Sequence, residues 1–216
     1  MFLEYLYLSC LVFSAIVATW FHRELKSRQL FLFVPYLWLL SIQELTLTYC
    51  LHKNIIVTTG LIYNIYRPIC TGFFVLLFYR MPINAPVRKL MAWLFSVYLA
   101  VTLVTFFFIQ HINIYNSYLS LAGGFVITCC SIFFLFNYFN LDNLAEEKKT
   151  LSVIWITVGV ITFYPIVNIT FAFYKFLLAY DASIFGIPLY KVVPRVMSVF
   201  MYSCFSYAFY LCRKKN

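Results

Sequence analysis

The sequence predicts an all-α, polytopic membrane protein: a bundle of seven transmembrane helices with its N-terminus outside and its C-terminus in the cytoplasm. Three observations carry this. Hydrophobic residues make up 64% of the 216 and charged residues only 11%, more apolar surface than a soluble domain of this length keeps from water. Seven apolar stretches each reach the roughly 20 residues needed to cross a hydrocarbon core. The basic residues alternate from side to side in step with those stretches.

The spans fall at about 3–21, 30–51, 55–79, 89–110, 115–139, 151–175 and 188–212, and together form one transmembrane domain over 1–216. The first runs into Trp20-Phe21-His22-Arg23-Glu24 with no small-residue cleavage site, which predicts a retained span rather than a signal peptide. The second carries Glu44 among apolar neighbours. The third has Gly60, Asn64, Arg67 and Thr71 on one helical stripe, and Pro68 frees a backbone carbonyl one turn before it. In the fifth, Ser117, Ser120, Gly124, Thr128 and Ser131 form a small-residue stripe of the kind that packs membrane helices together. The sixth carries Thr157, Tyr164 and Asn168, with Pro165 as a kink point. The last has Lys191, Arg195, Ser198, Tyr202 and Ser206 on one face, and Pro188 suits its first turn. Continuous apolar runs, without in–out alternation, exclude a transmembrane β-barrel.

Orientation follows from the loops. Arg23, Lys26 and Arg28, then Arg80, Arg88 and Lys89, then Lys148 and Lys149, then Arg213, Lys214 and Lys215 fall on one side. The opposite loops hold only Lys53 and Lys175, so the positive-inside rule makes the first side cytoplasmic. The net charge of +9 is thereby a topology signal, not a nucleic-acid-binding one, and the lipid bilayer is the first partner. Each basic residue near anionic headgroups adds attraction of about 1 kcal/mol. Between spans five and six, Glu146-Glu147-Lys148-Lys149 fits either an added helical turn or a solvated face.

Enzyme chemistry finds little footing. His22 lies on the cytoplasmic side and His52 and His111 at external edges, which fails a three-histidine zinc site. Lys191 is too near the start of its span for a retinal Schiff base. Glu44 alone among the acids lies well inside a span, so paired carboxylates for intramembrane proteolysis are missing. The seven cysteines lack metal-knuckle or disulfide spacing and read as small apolar residues. No catalytic residue, metal or cofactor is expected.

What the spans do carry is ionisable and amide side chains at converging depth: Glu44, Asn64, Arg67, Asn168, Lys191 and Arg195. At 1.5 Å per residue, Arg67 lies roughly 18 Å from the outer start of its span, Asn64 roughly 13 Å, and Glu44, Asn168 and Arg195 about 10 Å from theirs. Such residues in a bilayer are costly unless paired or facing a wet cavity. One reading is a structural ion pair of Glu44 with Arg67 or Arg195. The other is an externally open pocket whose excess cations favour an anionic or amphipathic ligand, with Lys191 at the rim. The expected function is a small receptor or sensor component signalling to a separate cytoplasmic or membrane partner. A transporter or channel-like protein is the alternative, and a structural scaffold a third reading.

The segment Ile62-Tyr63-Asn64-Ile65-Tyr66-Arg67-Pro68-Ile69 with Phe78-Tyr79, and the closing Val199-Phe200-Met201-Tyr202 through Ala208-Phe209-Tyr210-Leu211-Cys212-Arg213-Lys214-Lys215, resemble small uncharacterised seven-helix membrane proteins of Bacteroidota. The resemblance implies a bacterial inner membrane and carries no activity. Where that family has an acid shortly after the proline, Cys70 and Thr71 stand here, so no role of that acid transfers.

Overall fold

The computed structural model describes residues 2–53, 55, 59–140, 147–184 and 186–213. They are almost entirely helical: α1 (Phe2–Trp20), α2 (His22–Ser27), α3 (Phe33–His52), α4 (Gly60–Tyr79), α5 (Ala85–Val104), α6 (Ser117–Asn140), α7 (Glu147–Ala172), α8 (Tyr174–Ala179) and α9 (Leu189–Leu211). A π-helical turn, Thr105–Ile109, prolongs α5. Two-residue strands β1 (Ser183–Ile184) and β2 (Ile187–Pro188) pair antiparallel in the loop before α9, and Gly186 between them takes φ +72, a conformation that needs no Cβ.

Among the described residues, six helices are long and apolar enough to cross a membrane: Phe2–Trp20, Gly60–Tyr79, Ala85–Ile109, Ser117–Phe139, Leu151–Ala172 and Leu189–Leu211. Their outward faces are apolar too, with Phe13, Phe107, Phe108, Phe125 and Phe136 all exposed. This is the pattern of a multi-pass membrane protein, in which lipid rather than water covers those faces. Helix α3, 20 residues long, is not one of the six. Gln43 and Glu44, adjacent just past its midpoint toward its C-terminal end, lower its mean hydropathy.

Several boundaries differ from those the sequence predicts. The third span begins at Gly60 instead of residue 55, which places Asn64 and Arg67 only about 6 and 10 Å from the helix start. The fourth starts earlier, at Ala85, because Asn84 takes an extended conformation as N-cap and Pro86 fits the first turn. The sixth starts four residues early, so Glu147 to Thr150 do add a helical turn. It stops at Ala172, and Lys175 falls in the separate helix α8. Residues 141–146, with Glu146, and the tail residues Lys214 and Lys215 lie outside the described residues.

The chain forms two compact units, Met1–Tyr49 with Asn143–Asn216, and Cys50–Asp142. In the first, α9 packs against both α1 and α7. Glu4 meets Arg195 near the start of α1 and α9, and Phe21 meets Tyr210 near their ends, so those two helices run parallel. Helix α3 runs against α1, since Tyr7 meets Glu44 and Thr19 meets Trp38. Helix α7 runs against α9: Trp155 packs edge-on to Tyr207, and a Cβ on Gly159 would lie 3.0 Å from that of Cys204. Phe33 seats between Phe205 and Phe209, each ring centroid 5.3 Å away.

In the second unit, α4 and α6 run parallel and α5 antiparallel to both. Asn64, Thr71 and Phe78 on α4 meet, in order, Asn116, Gly123 and Phe134, and Gly72 faces Phe95 of α5. At Gly123 side chains of α4 and α5 both reach the backbone of α6. A Cβ there would lie 2.7 Å from Thr71 Oγ1 and 3.0 Å from the Tyr98 hydroxyl.

Candidate functional site

Four of the six site residues expected from the sequence, Glu44, Asn168, Lys191 and Arg195, belong to the first unit; Asn64 and Arg67 belong to the second. Each group has its own chemistry.

In the first unit, Arg195 pairs with Glu4, its Nη2 3.3 Å from Oε2, with both side chains largely covered. One helical turn further along α1, the Tyr7 hydroxyl donates to Glu44 Oε2 at 2.9 Å. Glu4 and Tyr7 are three residues apart and share a helix face, so α1 presents one polar edge that reaches both α9 and α3. Beside Glu44, Gln43 Nε2 is buried with no acceptor among the described residues. Asn168, half-buried, sits four residues before the end of α7. Lys191 is exposed two residues into α9, its ammonium 5.7 Å from the Tyr190 ring centroid. Because α3 and α7 run opposite to α1 and α9, all of these residues lie toward the same end of the unit.

Glu4 is the residue that sequence reasoning passes over. At the start of a span it reads as a headgroup-level acid, and its signal is the i, i+3 relation to Tyr7. Its presence changes the charge balance. Glu4 joins Glu44 as a second carboxylate in the unit that holds Lys191 and Arg195, where the sequence reading sets one carboxylate against three cations. Lys191 at the rim is left as the exposed cation of the group.

In the second unit Asn64 is a clamp. Its Nδ2 donates to the Ile112 and Ile114 carbonyls, both at 2.7 Å, and its Oδ1 accepts from the Asn116 backbone N–H at 3.1 Å. Asn116 in turn caps α6 through Oδ1 to the Leu119 N–H at 3.0 Å and donates to Gln110 Oε1 at 2.8 Å. Gly60, one turn before Asn64, lets this loop close on α4, since a Cβ would collide with the Asn113 carbonyl. With all three of those side-chain bonds spent on backbone, Asn64 holds a loop. Arg67 is half-buried one turn deeper and close enough to Tyr98 to act on it electrostatically.

The small-residue stripe of α6 behaves as packing. Thr128 and Ser131 donate to the carbonyls of Gly124 and Ile127 in their own helix. On α9, Ser198 and Ser206 likewise donate to Pro194 and Tyr202. Such back-bonding satisfies a hydroxyl where no water reaches it.

No protein-family model, curated protein sequence or solved structure matches this chain.

Proposed function

We propose that this protein is a small seven-span receptor or sensor component of a bacterial inner membrane, with its N-terminus outside and its C-terminus in the cytoplasm. It binds an anionic or amphipathic ligand at the Lys191 end of the first unit and signals to a separate cytoplasmic partner. Seven spans are supported by the helix directions in the first unit. The chain leaves α3 at the end where α1 begins and returns through α7 from the other end. Such a path needs an odd number of crossings in between, and α4, α5 and α6 supply three. Helix α3 also meets α1 at two levels, through Glu44 and through Trp38.

The observation that carries the ligand reading is the gathering of Glu4, Tyr7, Gln43, Glu44 and Arg195 at one end, with Lys191 exposed beside them. With Arg195 already paired, the ligand that fits best is amphipathic: an anionic head at Lys191 and an apolar body along the lipid-facing surface. The transport alternative needs a polar route down α9. The back-bonding of Ser198 and Ser206 weighs against it, because those hydroxyls already serve their own helix.

Oleate and oleyl alcohol, titrated into the purified protein in neutral detergent, separate the readings. Oleate should raise the unfolding temperature, oleyl alcohol should do so less, and Lys191→Gln should remove the difference. Equal responses to both probes in the native protein would defeat the anionic-head assignment. Solute flux in reconstituted vesicles would favour transport over sensing.

A further inference from the structure

The turn between α4 and α5, at the opposite end of the second unit from the Asn64 clamp, has cations without carboxylates. Arg80 and Lys89 are exposed there, and Arg88 is half-buried with its Cζ 5.4 Å from the Tyr79 ring centroid. No Asp or Glu occurs anywhere from residue 45 to residue 141, so the described part of this unit offers these cations no acid. The turn is also a built structure. Met81 and Ile83 are buried, Pro82 and Pro86 fix its backbone, and the Asn84 N–H donates to Asn137 Oδ1 of α6 at 3.0 Å. The Arg88 N–H closes on the Asn84 carbonyl at 3.0 Å, tying the arginine to the same turn.

Two buried donors remain there: Arg88 Nε and Asn137 Nδ2 have no hydrogen-bond partner among the described residues. The amide orientation of Asn137 is set by the Asn84 N–H, which needs the oxygen as acceptor, so nitrogen is the atom left over. Both orphans are donors, and both call for an acceptor. An arginine held against an aromatic ring still presents its N–H edge, in the fork geometry that matches two oxygens of a phosphate. Trp93, one turn beyond Lys89 and 62% exposed, and Tyr79, 40% exposed, are rings of the kind that lie at the lipid–water boundary.

We infer that the α4–α5 turn is a binding site for the phosphate of an anionic lipid headgroup, held by Arg88 with Arg80 and Lys89 around it. This differs from diffuse attraction of basic loops to the membrane, because it depends on the guanidinium and not on charge alone. It is independent of the ligand reading at the other unit.

Native mass spectrometry of the full chain released from neutral detergent tests it, with dioleoyl phosphatidylglycerol and dioleoyl phosphatidylcholine as probes. The native protein should retain one phosphatidylglycerol about ten- to a hundredfold more tightly than phosphatidylcholine, the range for charged hydrogen bonds. Arg88→Lys keeps the charge but loses the fork, and should weaken retention of phosphatidylglycerol about tenfold. Arg213→Gln, a lost charge in the other unit, should change nothing. Circular dichroism confirms that each variant is folded, and Lys89→Gln, with a weaker loss of preference, provides a second reading should Arg88→Lys not fold. Arg88→Lys binding like the native protein would overturn the site in favour of diffuse charge. So would equal affinity of the native protein for both lipids. Displacement of the lipid by millimolar inorganic phosphate would overturn the lipid as its occupant.

Discussion

Breaking the Glu4–Arg195 pair gives the sharpest test of how the first unit is assembled. At 3.3 Å, the two charges attract by ~5 kcal/mol at an effective dielectric of about 20. Each side chain is three-quarters or more covered, so desolvation cancels most of that attraction. The net coupling should fall above the exposed-pair range and below the loss from a dry pair, at about 1–2 kcal/mol. The perturbation is a double-mutant cycle of Glu4→Gln and Arg195→Gln, read by reversible unfolding of the purified protein in mixed micelles. Either single variant should lose more stability than its share of the pair, because it strands the partner at depth. The double variant should recover part of that loss. Singles that add to within about 0.5 kcal/mol would mean no direct pairing, and the parallel register assigned to α1 and α9 would lose its polar end-point.

The matching cycle of Tyr7→Phe with Glu44→Gln should couple by about 1.5–3 kcal/mol, as a hydrogen bond to a charged group does, and additivity would remove α3 from the cluster. Asn64→Leu strands two carbonyls and an N–H of the 112–116 loop and should cost about 2–4 kcal/mol, with faster amide exchange in that loop as the specific readout. Gly123→Ala drives a methyl against Thr71 and Tyr98 and should cost about 1–3 kcal/mol; an unchanged unfolding midpoint would refute the close three-helix approach. Reporter fusions after Arg28, Lys89, Lys149 and Asn216 should all report the cytoplasmic side, and an external signal at Asn216 would defeat the seven-span reading.

The sequence by itself determined what the solvent dictates. A chain this apolar must bury its backbone polar groups in helices, and a hydrocarbon core sets their length, so the helices lie close to where hydropathy places them. Helical spacing likewise identified the inward stripes: Gly60, Asn64 and Thr71 are buried, as their periodicity implies. Helix ends were less legible, because they depend on partners far along the chain. Gly60 starts α4 where the Asn113 carbonyl needs room, and no local signal in residues 55–60 states that. Pairing was decided only by the tertiary structure. Sequence depth alone cannot tell which of several cations at similar level an acid will meet, and Glu4, absent from the residues the sequence singles out, is the described partner of Arg195. Asn64 looked like a ligand-binding amide and is a loop clamp, since a buried amide bonds whatever backbone the fold brings within about 3 Å. Depth along each span follows from counting residues; which helices stand side by side, and so which side chains meet, follows from packing that only the folded chain specifies.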